Sequence, residues 1–368
     1  MSRFRDRIEA AMRPGGRATG FVRLLSPLAR AYELGALVRA VAYETGYRTA
    51  ARLAQPVISV GNVTLGGTGK TPIVAHVARF LRDQGYETAV LTRGYGRSSR
   101  ERVVLTAEDG RLADSAVERG GDEPALLARE LRDVPVVVDS RRAEAGQWAA
   151  RELGTEVFIL DDGFQHMQLA RDVNLLVLDA TDPFGGLRMP PLGRLREPLQ
   201  AMRRADAVIV TRSDRAFDEG AIERVVRGTC RPEIPIFYSW HDIESIRPVF
   251  GGESRSPQSL RNRKVAVLTA IGNPAVFVED LQNIGMNVVS ESLERDHHVF
   301  RQADLEAAID SARAAGAEAL LTTEKDAVKL EQLEHGDFPI HAVRIGFRSD
   351  DEGQLLSVVM KAVLKRIG

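Results

Sequence analysis

A buried strand that leads into a glycine-rich loop and then into a helix constrains the fold of this chain more than any other feature. The apolar run 57–60 is followed by Gly66-Gly67-Thr68-Gly69-Lys70-Thr71, and Pro72 stands where a helix can begin. Glycines let backbone N–H groups converge on phosphate oxygens, the lysine supplies a cation, and threonine can ligate Mg²⁺. The segment predicts a nucleotide-binding P-loop over Gly66, Gly67, Thr68, Gly69, Lys70 and Thr71, with Thr71 on the metal.

One position departs from the general P-loop spacing. The pattern G-x-x-x-x-G-K-[ST] asks for glycine where this chain has Thr64. Gly66 and Gly67 offer the missing backbone freedom. The alternative is a glycine-rich turn without a ligand, but a strand before the loop and a helix after it favour the P-loop.

Short apolar runs alternate with helical patterns along most of the chain. Strands are predicted at 57–60, 88–92, 134–139, 157–160, 173–178 and 207–211, and helices at 72–84, 122–132, 141–153 and 219–227. Strands that are apolar on both faces and separated by helices indicate an α/β fold, a P-loop doubly wound and mostly parallel sheet. In such sheets ligands bind at the carboxyl ends of the strands.

A length of 368 residues exceeds what one hydrophobic core usually serves, so a second, smaller α/β lobe is expected. The pattern predicts five regions: a basic amphipathic segment over 1–55, a P-loop core over 56–235, a linker over 236–257, the second α/β lobe over 258–345 and a C-terminal helix over 346–368 that can return to the core.

The N-terminal segment carries an unbalanced charge. Residues 1–55 hold ten arginines and four acidic residues, although the whole chain has a net charge of −1. Apolar residues recur there at helical spacing, including Leu34, Leu37, Val38 and Val41. Such a helix can lie on an anionic membrane surface or pack on the protein's own core.

Other features limit the compartment. Neither a signal peptide nor a run of about 18 consecutive apolar residues is recognised. The single cysteine, Cys230, excludes an intramolecular disulfide and agrees with a reducing compartment.

Two carboxylates follow the apolar run 157–160. A strand delivers Asp161 and Asp162 to its carboxyl end, where an acid can reach a P-loop Mg²⁺ directly or through water. An acidic pair after a strand is also a common turn, and the upstream P-loop favours the metal interpretation. Gln165 or His166 can orient a hydroxyl or a phosphate.

Two further motifs suggest acid–base chemistry. Asp122 precedes Glu123-Pro124 at a predicted helix start, so it is either a helix cap or an acceptor for the proton of an attacking hydroxyl. His297 lies in Asp296-His297-His298, where further ligands with zinc spacing are lacking. A histidine that assists an acid across a closing cleft is the preferred interpretation.

Together these motifs resemble the tetraacyldisaccharide 4′-kinase family, the lipid A kinases of Gram-negative bacteria. The resemblance spans about residue 20 to the end, and its segments are Val60 to Asn62, Gly66 to Pro72, Arg93-Gly94-Tyr95-Gly96, Gly121 to Glu123, Leu160 to His166, Leu195-Arg196-Glu197-Pro198, Ala270 to Pro274, Asp296-His297 and Thr322 to Lys329.

The resemblance implies an ATP- and Mg²⁺-dependent kinase that phosphorylates the 4′-hydroxyl of tetraacyldisaccharide 1-phosphate to give lipid IVA. It implies a peripheral protein at the cytoplasmic face of the inner membrane, with no nucleic-acid partner and no obligate protein partner. It assigns catalysis to Asp122 supported by His297, and metal binding to Thr71 with Asp161 or Asp162. The substrate contacts that it implies are Arg93, Tyr95, Arg142, Gln165, Arg196 and Glu197.

Two other functions fit parts of the pattern. Membrane-linked P-loop ATPases of the partitioning class also carry Gly-Gly-x-Gly-Lys-Thr, but their signature lysine is replaced here by Leu65. A kinase of a soluble sugar would need no basic amphipathic N-terminus.

Overall fold

A computed structural model describes residues 24–95, 97–98, 100–107, 116–215, 217–295 and 298–367. The helices are α1 Ser26–Glu44, α2 Lys70–Asp83, α3 Ala116–Gly120, α4 Asp122–Leu131, α5 Arg142–Glu152, α6 Glu219–Thr229, α7 Pro274–Asn283, α8 Gln302–Ala314, α9 Glu324–Leu330 and α10 Glu352–Ile367. The strands are β1 Val57–Asn62, β2 Thr88–Thr92, β3 Val103–Leu105, β4 Val136–Val138, β5 Val157–Asp161, β6 Val173–Asp179, β7 Ala207–Thr211, β8 Ile236–Pro248, β9 Lys264–Thr269, β10 Asn287–Leu293, β11 Ala319–Thr323 and β12 Ile340–Ser349.

The strands form one 12-stranded sheet in the order β10-β9-β11-β12-β8-β7-β6-β1-β5-β2-β4-β3. Neighbours are parallel except at the β3–β4 and β8–β12 pairs. Every residue of β1, β2, β5, β6 and β7 is buried, as expected for strands covered by helices on both faces. The predicted doubly wound, mostly parallel α/β fold is confirmed.

A 13-residue strand joins the two parts of the sheet. β8 pairs in parallel with β7 and antiparallel with β12. We call β1 to β7 with α1 to α6 the N-terminal half, and β9 to β12 with α7 to α9 the C-terminal half. Residues 236–257, predicted as a linker, thus contain a strand of the shared sheet.

The last helix packs on the N-terminal half. Leu355, Val359 and Val363 of α10 share a core cluster with α2 residues such as Ile73 and Val77. Separate clusters of buried residues fill the C-terminal half.

α1 presents two different faces. Tyr32, Gly35, Ala36 and Arg39 line a cavity at the strand ends, whereas the opposite face carries exposed apolar side chains: Leu34, Leu37, Val38 and Val41, which are 62%, 40%, 61% and 51% exposed. Within the described part of the chain, no helix combines the length and apolar character needed to cross a bilayer.

Candidate active site

The glycine-rich loop connects the end of β1 to the first residue of α2. Gly66 and Gly69 have φ values of 105° and 74°, a region that favours glycine. A Cβ at Gly66 would collide with the guanidinium of Arg194, and a Cβ at Gly69 would lie 2.7 Å from Nε2 of His241. A Cβ at Gly67 would meet nothing within 4 Å. The loop therefore needs small residues at its turns and leaves open space beside Gly67.

Side chains from neighbouring segments hold the backbone of this loop. Thr211 at the end of β7 donates to the Thr68 carbonyl over 2.9 Å, and Arg194 Nε donates to the Leu65 carbonyl over 2.9 Å. Oγ1 of Thr68 is itself buried and has no hydrogen-bond partner among the described residues. The loop is thus braced, with one hydroxyl unpartnered, as expected of a cradle for an additional polar group.

Lys70 meets the acidic end of β5 at the start of α2. Its Nζ lies 3.2 Å from Oδ1 of Asn62 and 3.4 Å from Oδ1 of Asp162. Arg196 Nη1 donates to both carboxylate oxygens of Asp162, over 2.9 and 2.7 Å. Burial alone would raise the pKa of Asp162, but Lys70 and Arg196 outweigh it and lower that pKa to about 2. Asp162 is therefore a carboxylate at neutral pH.

The neighbouring Asp161 has a different environment. It is buried and accepts a hydrogen bond of 2.8 Å from Oγ1 of Thr92. Burial and the adjacent charge of Asp162 raise the pKa of Asp161 to about 6. Among the described residues, no group of three or more His, Cys, Asp or Glu side chains gathers around one point. Mg²⁺ needs no such group, because it keeps waters and takes one or two carboxylates plus substrate phosphates.

A cavity of about 710 Å³ opens beside Asp162 and is rich in arginine. We call it the basic cavity, and its polar lining residues include Arg39, Arg93, Ser140, Arg142, Asp162, Gln165, His166, Arg196 and Glu197. Burial and the surrounding arginines, Arg142 first, lower the pKa of His166 to about 3, so this imidazole is neutral at pH 7. An excess of fixed cations around a neutral histidine favours an anionic ligand.

Individual contacts fix the walls of the basic cavity. Arg142 is buried and its Nη1 lies 3.4 Å from the Asp162 carbonyl oxygen, to which it donates. Gln165 Nε2 donates to the Asn62 carbonyl over 2.8 Å, while its Oε1 accepts from Arg196 over 3.3 Å. Glu197 accepts from Nη2 of Arg204 over 2.9 and 2.8 Å. The carboxylate of Glu197 thus helps to orient the loop that carries Arg196.

Asp122 lies in a second cavity of about 450 Å³, which we call the Asp122 cavity. Its lining includes Tyr95 from the turn after β2, and Val299, Phe300 and Lys329 from the C-terminal half. Lys329 Nζ lies 3.3 Å from Oδ2 of Asp122. The position of Asp122 as the first residue of α4 agrees with the helix start expected from the sequence.

Backbone segments pack closely between the two cavities. A Cβ on Gly94 would lie 2.7 Å from the Gly120 carbonyl oxygen, and a Cβ on Gly121 would lie 2.8 Å from the Tyr95 carbonyl oxygen. The turn from Arg93 to Tyr95 therefore separates the basic cavity from the Asp122 cavity. The basic cavity lies at the carboxyl ends of β1, β2 and β5, where the fold predicts a ligand, and Tyr95 and Ser98, which follow β2, line the Asp122 cavity.

Comparison with known proteins decides the family. The sequence profile of the tetraacyldisaccharide-1-P 4′-kinase family matches residues 21–364. A tetraacyldisaccharide 4′-kinase of Pelobacter propionicus is 41% identical over 314 residues, which are 84% of each chain. One from an Anaeromyxobacter species is 41% identical over 337 residues, covering 89% of this chain and 88% of the relative. The chain belongs to the tetraacyldisaccharide 4′-kinase family.

A solved structure of this family has the same fold. The crystal structure of LpxK from Aquifex aeolicus in complex with ATP covers 93% of this chain and 99% of its own, with 31% identity and a TM-score of 0.74. The resemblance inferred from the motifs is thereby confirmed, and the partitioning-class ATPase is not favoured.

Nine of the residues predicted for the kinase site line three separate cavities. Arg93, Arg142, Asp162, Gln165, Arg196 and Glu197 share the basic cavity. Tyr95 and Asp122 line the Asp122 cavity. Thr71 lines a smaller pocket of about 210 Å³ between the halves, together with Glu130, His241 and Phe277. His297 lies outside the described residues.

Several side chains at this kinase site were missed by sequence reasoning. Asn62 and Thr211 hold Lys70 and the P-loop, and Lys329 contacts Asp122. The one sequence feature that these residues share is their location, because each lies at the end of a strand or in a segment that resembles the family. Contacts between residues far apart in the chain supply the rest.

Proposed function

We propose that this chain transfers the γ-phosphoryl group of ATP to the 4′-hydroxyl of an acylated glucosamine disaccharide 1-phosphate, giving lipid IVA in lipid A synthesis. The observation that carries the proposal is the juxtaposition, in a chain of this family, of Lys70 at the start of α2 with Asp162 and the basic cavity.

The P-loop fits a nucleoside triphosphate. Space beside Gly67, the unpartnered Thr68 hydroxyl and the cation of Lys70 all lie in the connection from β1 to α2. Residues Gly66 to Thr71 would hold the phosphates, and Thr71 with Asp161 or Asp162 would hold Mg²⁺. The bound nucleotide supplies the phosphoryl group, and Mg²⁺ neutralises charge on its oxygens.

The basic cavity suits the phosphorylated sugar of the acceptor. Arginine donates two parallel hydrogen bonds to phosphate, so Arg93, Arg142 and Arg196 can bind and orient an anionic disaccharide. Tyr95 lines the neighbouring cavity, on the far side of the same turn. These residues position the acceptor, and alignment is the main requirement of a loose phosphoryl-transfer transition state.

Asp122 is the proposed general base. It accepts the proton of the acceptor hydroxyl as the oxygen attacks phosphorus, with His297 supporting it from the C-terminal half. One link to the P-loop side is electrostatic: the charge of Glu123, the next residue, contributes to the raised pKa of Asp161.

The exposed face of α1 supports peripheral attachment to the cytoplasmic face of the inner membrane. Leu34, Leu37, Val38 and Val41 form a stripe on the side opposite to the basic cavity. Apolar side chains on such a helix can enter the headgroup region of a bilayer, and nearby arginines favour anionic lipids. An acylated acceptor could then pass from the membrane to the cavity beneath the helix.

Mass spectrometry tests the reaction. Enzyme incubated with ATP, Mg²⁺ and the acylated disaccharide 1-phosphate should add one phosphate to the lipid, and Lys70→Met should abolish that product. A deacylated disaccharide 1-phosphate offered in parallel distinguishes a soluble-sugar kinase. Well-folded enzyme that phosphorylates only the deacylated sugar, or neither compound, would contradict the proposal.

Vesicle co-sedimentation tests the membrane contact. The pair Leu34→Ser and Val38→Ser should weaken binding to vesicles that contain anionic phospholipid. Leu293→Ser with Leu364→Ser removes two exposed apolar side chains elsewhere, 42% and 56% exposed, and should leave binding unchanged. Equal binding by all three proteins would exclude α1 as the membrane contact.

A further inference from the structure

α9 of the C-terminal half lies against α4 of the N-terminal half, and ion pairs connect the two helices. Lys329 pairs with Asp122 at 3.3 Å and Lys325 pairs with Glu123 at 3.7 Å. Near the other end of α4, Arg129 pairs with Glu331, just beyond α9. The helix that begins with the proposed base is therefore held along its length by the opposite half.

Lys329 has the most enclosed position in this interface. Its side chain is 11% exposed, and its Nζ has oxygen neighbours from three segments. Besides Asp122, these are Oδ1 of Asp326 at 3.6 Å and the carbonyl oxygen of His298 at 3.4 Å. His298 directly follows His297 in the chain. One ammonium group thus contacts both the proposed base and the backbone of the segment that bears its proposed partner.

Asp326 fixes Lys329 to the C-terminal half. It is fully buried, and its Oδ2 accepts from Oγ1 of Thr269 over 2.8 Å, from the Ala270 amide over 2.9 Å and from Oγ1 of Thr323 over 2.9 Å. Its Oδ1 faces Lys329 and has no hydrogen-bond partner among the described residues. The ammonium group of Lys329 is therefore held in place by a buried hydrogen-bond network and does not behave as a mobile surface side chain.

We infer that Lys329 is the positioning residue that fixes the carboxylate of Asp122 when the C-terminal half is docked on α4. The inference rests on the proposed function, in which Asp122 is the general base. A cation with a fixed location restricts the rotamers of the carboxylate, and small misplacements of a reacting group cost large factors in rate. Turnover then depends on a residue that belongs to the other half and acts through the carboxylate of Asp122.

A double-mutant cycle on turnover tests this inference. The variants are Lys329→Met, Lys329→Gln, Lys329→Arg, Asp122→Asn and the double variant Asp122→Asn with Lys329→Met. Lys329→Met and Lys329→Gln should lower kcat by about ten- to a hundredfold while the KM values for ATP and lipid change far less. Lys329→Arg should restore part of kcat. In the Asp122→Asn background, Lys329→Met should have no further effect.

Glu331→Gln is the matched control. It removes another ion pair between α4 and the C-terminal half, away from Asp122, and should leave kcat within about twofold of wild type because the carboxylate of Asp122 keeps its contact. The inference is overturned if Lys329→Met and Lys329→Gln turn over like wild type, if Glu331→Gln has the same effect as they do, or if Lys329→Met slows Asp122→Asn as much as it slows wild type. Wild-type turnover by Asp122→Asn would instead refute the proposed base, so the two failures are distinguishable.

Discussion

The basic cavity and the Asp122 cavity lie on either side of one turn but are built in different ways. The contacts that shape the basic cavity, such as Asn62 with Lys70 and Asp162 with Arg196, come from the N-terminal half alone. The Asp122 cavity takes Val299, Phe300 and Lys329 from the C-terminal half. The basic cavity is therefore complete within one half, whereas the Asp122 cavity is complete only when both halves meet.

This difference has a physical reason. Phosphate binding requires several fixed cations and amides at once, and local contacts between strand ends provide them without any domain movement. A base that is assembled from two halves can be correctly placed in one arrangement of the halves and misplaced in another. Substitutions in the two cavities should accordingly have distinct signatures.

The largest effect is expected from Lys70→Met, which removes the cation of the phosphate side. Activity should fall by about 10³, because Lys70 is the cation placed to stabilise charge developing on the transferred group. The Asp122 cavity should remain intact, since none of the contacts that shape it involves Lys70. Product formation followed by mass spectrometry, with thermal unfolding as the control, measures this. Retention of more than a tenth of wild-type activity would contradict the role of Lys70.

A smaller effect is expected from Arg196→Lys in the basic cavity. Arg196 contacts Asp162 and Gln165 through Nη1, and its planar group can also donate two parallel hydrogen bonds to a phosphate. Lysine keeps the charge but cannot make that pair of bonds. The ratio kcat/KM for the lipid should fall by about ten- to a hundredfold. Steady-state kinetics with the lipid varied tests this. An Arg196→Lys enzyme equal to wild type would show that charge alone suffices there.

Asp326→Asn should act on stability in the C-terminal half. It removes the charge of a buried carboxylate that accepts three hydrogen bonds, so the free energy of unfolding should fall by about 2 kcal/mol. Denaturant unfolding of the whole chain measures the change, and Asp351→Asn, at an exposed position, is the control. An equal decrease in the free energy of unfolding of both variants would show that Asp326 does not anchor this network.

The smallest effect is expected from Glu130→Gln. Glu130 lines the pocket between the halves, and the substitution changes how the stability of the protein depends on pH. Burial raises the pKa of Glu130 from 4.5 to about 7, although Arg79 opposes the shift. The folded protein holds this proton to a higher pH than the unfolded chain, so the associated stability is fully present below about pH 4.5. It is lost as the pH rises through about 7.

Glu130→Gln mimics the protonated acid and should therefore melt a few degrees above wild type at pH 8, with the difference vanishing at low pH. The substitution also removes the ion pair between Glu130 and Arg79, whose Oε2 and Nη2 atoms lie 3.9 Å apart, and this loss limits the rise in melting temperature. Thermal unfolding at a series of pH values measures it. Melting curves of the two proteins that shift in parallel with pH would show that Glu130 has the same pKa in the folded and the unfolded protein.

Much of the N-terminal half can be predicted from sequence because its signals are local. The apolar runs predict β2 and β7 with the observed bounds, and the predicted β1 and β5 differ from the observed strands by a residue or two at their ends. Buried parallel strands are continuous apolar runs, and the ends of those runs are enough to place Lys70 and Asp162 at one rim of the sheet.

The remaining features depend on contacts between distant residues. β8 joins two sheet halves through partners on either side, and nothing in its own mixed pattern specifies those partners. The contact of Lys329 with Asp122 spans more than two hundred residues of chain. β3 and α3 are too short, at 3 and 5 residues, to give a periodic signal.

The rate of the chemical step in Asp122→Asn tests the central claim most directly, because it separates the two cavities in one experiment. Single-turnover phosphorylation of the lipid is measured with both substrates saturating, alongside the dissociation constant for ATP. We expect the rate to fall by at least about 10², while the dissociation constant for ATP stays within about twofold, since the phosphate side is complete without Asp122. An unchanged rate, or weakened ATP binding that accounts for the whole loss, would contradict the account.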